Sequence, residues 1–218
     1  AEKGTAIAQR RLGEMLSGGI GGITNHVEAA EWCRKAADQG DVDAQVMLGT
    51  MYYNGQGVNQ DNTEAFKWIQ KAALAGDAVA QRSLGVLLAD SATTLNNDYE
   101  AFKWFKKAAE QGDPHAQARL GMMYEDGRGV TKDGAAAAEW YRKGADQNDV
   151  SAQYCLALLY FNGIGVSQND TEAVKWFIKA AAQGYAVAQS SLAWLYSVGR
   201  GVAKDEAEAA KWYGKAAA

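Results

Sequence analysis

Apolar residues along the chain fall at helical intervals, and the intervals themselves recur every 36 residues. In GDVDAQVMLGTMYYNGQGVNQDNTEAFKWIQKAALAG, Gly40 to Gly76, the residues Ala44, Leu48, Met51 and Tyr52 stand at i, i+4, i+7 and i+8. That spacing draws one stripe on a helix. Gly49 lies beside the stripe, where a missing side chain lets a partner helix approach. Gly55 follows at the place where a C′ residue takes a positive φ. After a short loop, Asp61 and Glu64 have the spacing of a capping box. Ala65, Trp68, Ala72 and Ala73 make the buried face of a second helix. Lys71 sits near its negative dipole end, and Gly76 stops it. The segment is a predicted helix–turn–helix hairpin.

The same hairpin recurs through the whole chain. Tryptophan stands at 32, 68, 104, 140, 176 and 212, Ala-Gln begins at 8, 44, 80, 116, 152 and 188, and leucine stands at 12, 48, 84, 120, 156 and 192. Capping pairs recur as Asn25/Glu28, Asn97/Glu100, Asn169/Glu172 and Asp205/Glu208, while Asp133 has only Ala136 opposite. Self-similarity of this strictness predicts an all-α stacked array in a single domain, 1–218. Its six units run approximately over 4–39, 40–75, 76–111, 112–147, 148–183 and 184–218.

Composition removes several function classes. The chain has 218 residues, 48% of them hydrophobic, a net charge of −4 and a single proline. That is an ordered, soluble composition. No apolar run approaches the roughly 20 residues that span a bilayer, so no membrane insertion is expected. Mild acidity speaks against nucleic acid as a partner, since a phosphate-binding surface needs a basic excess. Cys33 and Cys155 give neither zinc spacing nor a disulfide framework.

The stretch GRGVTKDGAAAAEW, Gly127 to Trp140, resembles a phosphate cradle, but the same loop is GQGV at 55–58, GIGV at 163–166 and GRGV at 199–202. With no strand before it and no retained lysine, it reads as a turn. His26, expected in a loop, and His115, at the start of a first helix, have no ligand spacing to either cysteine. The recurring acids are caps. No catalytic constellation, metal site or cofactor is expected, and the chain reads as a non-enzyme.

At about 100° per residue, Ala44, Leu48 and Met51 point to the core, while Asp43, Val46, Thr50 and Tyr53 point away, toward the concave groove of a hairpin array. The equivalents of Val46 are Arg10, Arg82, Ala118, Tyr154 and Ser190; those of Thr50 are Glu14, Val86, Met122, Leu158 and Trp194. Those of Tyr53 are Ser17, Ala89, Glu125, Phe161 and Ser197. Large apolar groups gather toward the C-terminal half. Trp194 is the one tryptophan out of register. The candidate partner-binding residues are therefore Arg10, Glu14, Val46, Tyr53, Arg82, Val86, Met122, Tyr154, Leu158, Phe161 and Trp194. The alternative is that curvature buries these side chains between adjacent first helices.

The string A-Q-x-x-L-G-x-x-Y-x-x-G-x-G-V, then D-x-x-x-A-x-x-W-x-x-K-A-A, resembles the Sel-1-like repeat family, relatives of the tetratricopeptide repeats. It reads AQVMLGTMYYNGQGV from Ala44 and AQYCLALLYFNGIGV from Ala152. The resemblance implies a right-handed α/α superhelix used as a protein-binding scaffold. It implies an adaptor taking a protein or peptide segment in its groove; the alternative is an immunity or inhibitor protein that occludes a secreted bacterial toxin such as a lipase. It favours a bacterial periplasmic or secreted setting and leaves a cytoplasmic one open. The cysteine pairs of disulfide-stapled members are absent.

Two units depart from the pattern. Unit three reads LADSATTLNND from Leu88, with Ser91 and Thr93 where glycines are expected, so its turn must be built differently. Unit one has glycine at 22 where valine is usual. Residues 1–4 match residues 37–40, which predicts a trimmed array or a cleaved leader. The ending KWYGKAAA has no polar capping helix, which predicts a continuation or end-to-end self-association.

Overall fold

A computed structural model describes residues 5–18, 24–91 and 93–217. The features expected at residue 22 and at residues 1–4 lie outside the described residues. Within them every regular element is a helix: α1 (Ala6–Gly18), α2 (His26–Asp38), α3 (Val42–Asn54), α4 (Asn62–Leu74), α5 (Ala78–Ala89) and α6 (Asp98–Glu110), then α7 (Pro114–Asp126), α8 (Gly134–Asp146), α9 (Val150–Asn162), α10 (Asp170–Ala182), α11 (Ala186–Val198) and α12 (Glu206–Ala216). The chain divides into two compact units, Ala1–Ala108 and Ala109–Ala218, each described here by itself.

Inside a hairpin, the small residue of the first helix admits a large one from the second. A Cβ on Gly49 would stand 2.5 Å from Ile69 Cγ1, and one on Gly121 would stand 2.7 Å from the Tyr141 ring. Both glycines are therefore fixed by packing. Around them the first unit buries Ala29, Cys33, Ala44, Leu48 and Met51 in one cluster. The second unit buries Tyr141, Leu156, Leu159, Trp176, Phe177, Leu192 and Leu195 in another.

Between hairpins, the glutamine of the Ala-Gln pair does the joining from Gln45 onward, a role its recurrence in the sequence did not disclose. Gln45 Nε2 donates to the carbonyl of Ala37 at 3.2 Å, and Gln153 Nε2 to that of Ala145 at 3.2 Å. Each of these carbonyls already accepts a backbone N–H from the turn that ends its helix, Gly40 N on Ala37 and Asn148 N on Ala145, both at 3.0 Å, so the glutamine takes up the second lone pair. Gln183, the C-cap of α10, then donates to Gln153 Oε1 at 2.8 Å, carrying the connection across the α9–α10 hairpin.

The glycine loop is a joint as well as a turn. Its first glycine, such as Gly55 or Gly163, closes the first helix in the left-handed conformation, as expected. The second also lies at positive φ, and a Cβ there would penetrate the preceding hairpin: 1.9 Å from His26 O at Gly57, 2.0 Å from the Gly134 carbonyl at Gly165. Unit three does without this device. Asp90 ends α5 in an extended conformation, and the buried Thr93 hydroxyl donates to Asp90 O at 3.1 Å and accepts from Leu95 N at 3.3 Å. The loop still closes on the shared bond, Asn97 N to Leu88 O at 2.8 Å, the counterpart of Asp61 N to Tyr52 O at 3.0 Å.

Several local expectations change. His26 is the first residue of α2 rather than a loop residue, because Asn25 caps that helix. The capping asparagines and aspartates accept backbone N–H bonds as read, for example Asp61 from Glu64 N at 3.0 Å. Of their glutamates, Glu64 pairs with Lys67 at 2.7 Å and Glu172 with Lys175 at 2.5 Å, a lysine three residues on, whereas Glu28 accepts from Asn25 Nδ2 at 3.2 Å and Trp32 Nε1 at 3.3 Å. Trp68 is half-buried while the next residue, Ile69, is buried. The in-register lysine lies over the tryptophan ring, 3.8 Å from its centroid for both Lys35 on Trp32 and Lys179 on Trp176. That cation–π contact explains the repeating Trp-x-x-Lys better than the helix dipole alone.

Candidate functional site

The out-of-register residues of the first helices separate into three groups. The first is an ion-pair cluster. Arg10 meets Glu14 at 2.5 Å, Asp41 at 3.1 Å and Asp43 at 3.4 Å. Asp41 is the N-cap of α3, so these charges tie α1 to the next hairpin. Burial works against the Glu14 carboxylate, but bonds from Arg10 and Arg11 win and hold its pKa below the ordinary value.

The second group lines a cleft of about 240 Å³ between α3 and α5, over α4. Its walls are Thr50, Tyr53, Ile69, Arg82, Ser83, Val86 and Leu87, with Asn54 at the edge. The Tyr53 hydroxyl donates to Asp90 Oδ2 at 2.5 Å, and this bond, followed by burial, raises the phenol's pKa. Thr50 and Ser83 turn their hydroxyls back to the carbonyls of Val46 and Val79. Val46 itself is half-buried on α3 and does not line this cleft.

The third group lines a cleft of about 370 Å³ between α9 and α11, over α10. Its lining is Leu158, Phe161, Phe177, Ser190, Ser191, Trp194 and Leu195. These are the repeat positions of the first cleft, three repeats later in the sequence. Phe161 meets Trp194 edge-on, centroids 6.0 Å apart at 75°. Trp194 is 43% exposed. Phe177 and Leu195 form a buried floor.

Leu158, Phe161 and Trp194 are thus brought together, as are Tyr53, Arg82 and Val86. Met122 is exposed on α7 and lines neither cleft. Tyr154 is half-buried, with its ring against Phe177 at 5.7 Å and Tyr185 at 5.2 Å, so it backs the cleft floor from the core side. Ala118, placed on the outer face by angle, is buried in the core cluster. Phe177 and Arg200 escaped the sequence reading. The first was legible, since the residue after each in-register tryptophan reads Cys33, Ile69, Phe105, Tyr141, Phe177 and Tyr213.

The titratable groups are structural in their surroundings. Burial pushes the thiols of Cys33 and Cys155 up to about 11, far from the thiolate a nucleophile needs. The exposed His115 pairs through Nδ1 with Asp149 Oδ2 at 2.5 Å, and Asp149 caps α9. Among the described residues no group of three His, Cys, Asp or Glu is placed to hold a metal ion, and no helix is long and apolar enough to cross a membrane.

Consecutive helical hairpins with glutamine and glycine joints define a helical-repeat protein whose variable side chains line clefts. The Sel1 repeat family matches residues 6–41, 42–77, 78–113, 114–149, 150–185 and 186–218, and the chain belongs to that family. It is 38% identical, with TM-score 0.89, to a protective antigen present in uropathogenic Escherichia coli strains that displays an SLR fold. The match covers 98% of this chain and 46% of that one, so the chain spans less than half that relative's length. It is 34% identical, with TM-score 0.88, to a Sel1 repeat protein from Oxalobacter formigenes, covering 98% of this chain and 85% of that one. A Pseudomonas aeruginosa immunity protein, at 22% identity and TM-score 0.65 over 98% of this chain and 82% of that one, shares the fold. No curated protein sequence matches the chain significantly.

Proposed function

We propose that the protein is a non-enzymatic interaction scaffold that holds a protein or peptide segment against the exposed face of its first helices, anchored at the cleft between α9 and α11. The observation that carries this reading is Trp194, an indole 43% exposed in an apolar cleft, at a position the repeat does not require to be aromatic. Its counterpart three repeats earlier is Val86. Tryptophan is among the residue types most enriched at binding hot spots, and an exposed apolar patch of this kind marks an interaction site. The family's typical use as a protein-interaction scaffold supports the same reading.

Affinity capture with the whole chain as bait, in parallel with a Trp194→Ala bait, tests it. A protein retained by the wild type and lost with Trp194→Ala, and shown to bind the purified wild-type chain directly, is the expected outcome. Identical captures with both baits contradict the reading. Fold kinship with an immunity protein supports a second reading, occlusion of a secreted toxin. That reading requires the captured protein to be an enzyme whose activity stops in a tight one-to-one complex.

A further inference from the structure

The loop after α11 reads Gly199-Arg200-Gly201-Val202, and its arginine reaches two other elements at once. Arg200 Nε donates to Asp170 Oδ2 at 2.9 Å and Nη2 to Asp170 Oδ1 at 3.0 Å, a two-pronged pair with the first residue of α10. Nη2 also donates to the carbonyl of Phe161 at 3.4 Å, near the end of α9. The guanidinium carbon lies 3.7 Å from the centroid of the Phe161 ring. That ring is the one meeting Trp194 edge-on. A continuous series therefore runs from Asp170 through Arg200 and Phe161 to the exposed indole.

The first cleft explains why such a series is needed. There Tyr53 is fixed by its own hydroxyl on Asp90. At the counterpart positions stand Phe161, with no hydroxyl, and Val198, with no acceptor. A phenylalanine at a cleft edge with nothing to bond would exchange rotamers. A stacked guanidinium, itself held by a carboxylate fork, removes that freedom. The Asp/Arg pair recurs in the sequence two repeats earlier as Asp98 and Arg128, with Ala89 at the place of Phe161, so the stacked ring rather than the fork sets this joint apart. Nor is the pair present in every repeat. The counterparts of Asp170 and Arg200 one repeat earlier are Gly134 and Ile164, where a Cβ on the glycine would stand 3.0 Å from the isoleucine Cγ2.

We infer that Arg200 is a positioning residue: clamped by Asp170, it sets the orientation of Phe161 and through it of Trp194, and so the shape of the α9–α11 cleft. This rests on the reading of that cleft as the partner site, and extends it to a residue outside the cleft lining.

The test uses the whole chain labelled with 5-fluorotryptophan, the Trp194 signal assigned by Trp194→Phe, with Nile red, a neutral apolar dye, as the cleft probe. Arg200→Gln should shift and broaden the Trp194 fluorine signal while the six in-register tryptophans stay in place, and weaken Nile red binding about fivefold, the scale of one lost cation–π contact. Arg200→Lys keeps the charge without the fork and should fall between, its circular dichroism matching the wild type. Asp170→Asn should move the same signal in the same direction by less. A Trp194 signal in Arg200→Gln that superimposes on the wild type overturns the positioning role. Nile red binding that survives Trp194→Ala unchanged overturns the cleft reading instead, and a shifted Trp194 signal in Arg200→Gln would still uphold the positioning.

Discussion

The cleft between α3 and α5 and the cleft between α9 and α11 use the same repeat positions for opposite ends. Thr50, Tyr53, Arg82 and Val86 line the first, and Leu158, Phe161, Ser190 and Trp194 the second. In the first, the polar groups answer one another: Tyr53 bonds Asp90, and Thr50 bonds the carbonyl of Val46. In the second, the Tyr–Asp pair has become Phe161 and Val198, and the apolar lining is left to whatever can cover it. The surrounding joints are alike, Gln45 on Ala37 as Gln153 on Ala145, and Gly57 against His26 as Gly165 against Gly134. A frame repeated so closely leaves lining chemistry as the variable on which selection of a partner can act.

The sharpest way to break the comparison is to attack the shared frame. Gly57→Ala and Gly165→Ala each place a Cβ inside the preceding hairpin at positive φ, and each should cost about 3 kcal/mol or more in urea unfolding. Unequal costs, with one substitution harmless, would show that the two joints are not equivalent. Next in size is conversion of one cleft into the other. The combined change Thr50→Leu, Tyr53→Phe, Val86→Trp and Asp90→Val should give the chain a second equivalent of bound Nile red, read by titration. Unchanged stoichiometry would mean that the lining alone does not make the cleft.

These two tests track how much the sequence disclosed. Periodicity made every hairpin legible, because a side chain buried at each turn must be apolar at each turn. It also separated Leu158, Phe161 and Trp194 from the core stripe. Angle alone misplaced Ala118, since neighbouring hairpins bury part of the outer face as well. It also gave no sign that Tyr154 leans on Phe177 and Tyr185, because such contacts depend on ring direction rather than on register. Arg200 was hidden for a simpler reason: it sits in a loop read only as a turn, and its partners lie 30 and 39 residues away.

Smaller effects sharpen the contrast. Tyr53→Phe deletes a hydrogen bond in the first cleft and should cost about 1 kcal/mol of stability, with Nile red binding unchanged. A loss of Nile red binding would move the probe site to the wrong cleft. The smallest effect concerns pH. The bond from Arg200 holds the Asp170 carboxyl below its ordinary value of 3.8. A depressed carboxyl stabilises the fold above its unfolded pKa, and that contribution disappears as pH falls through the folded pKa. The stability difference between wild type and Arg200→Gln should therefore be under about 1 kcal/mol at neutral pH, because the pair is partly exposed, and should shrink below pH 3.8. A difference that grows on acidification would contradict the assignment.

The most direct measurement sets two tryptophans of the second unit side by side, Trp176 at 5% exposure in register and Trp194 at 43% out of it. Urea unfolding and Nile red titration are run on Trp176→Ala and Trp194→Ala. The account predicts a loss of about 3 kcal/mol or more for Trp176→Ala, and no more than about 1 kcal/mol for Trp194→Ala together with loss of the dye. Comparable destabilisation by both, with dye binding intact in Trp194→Ala, would contradict it.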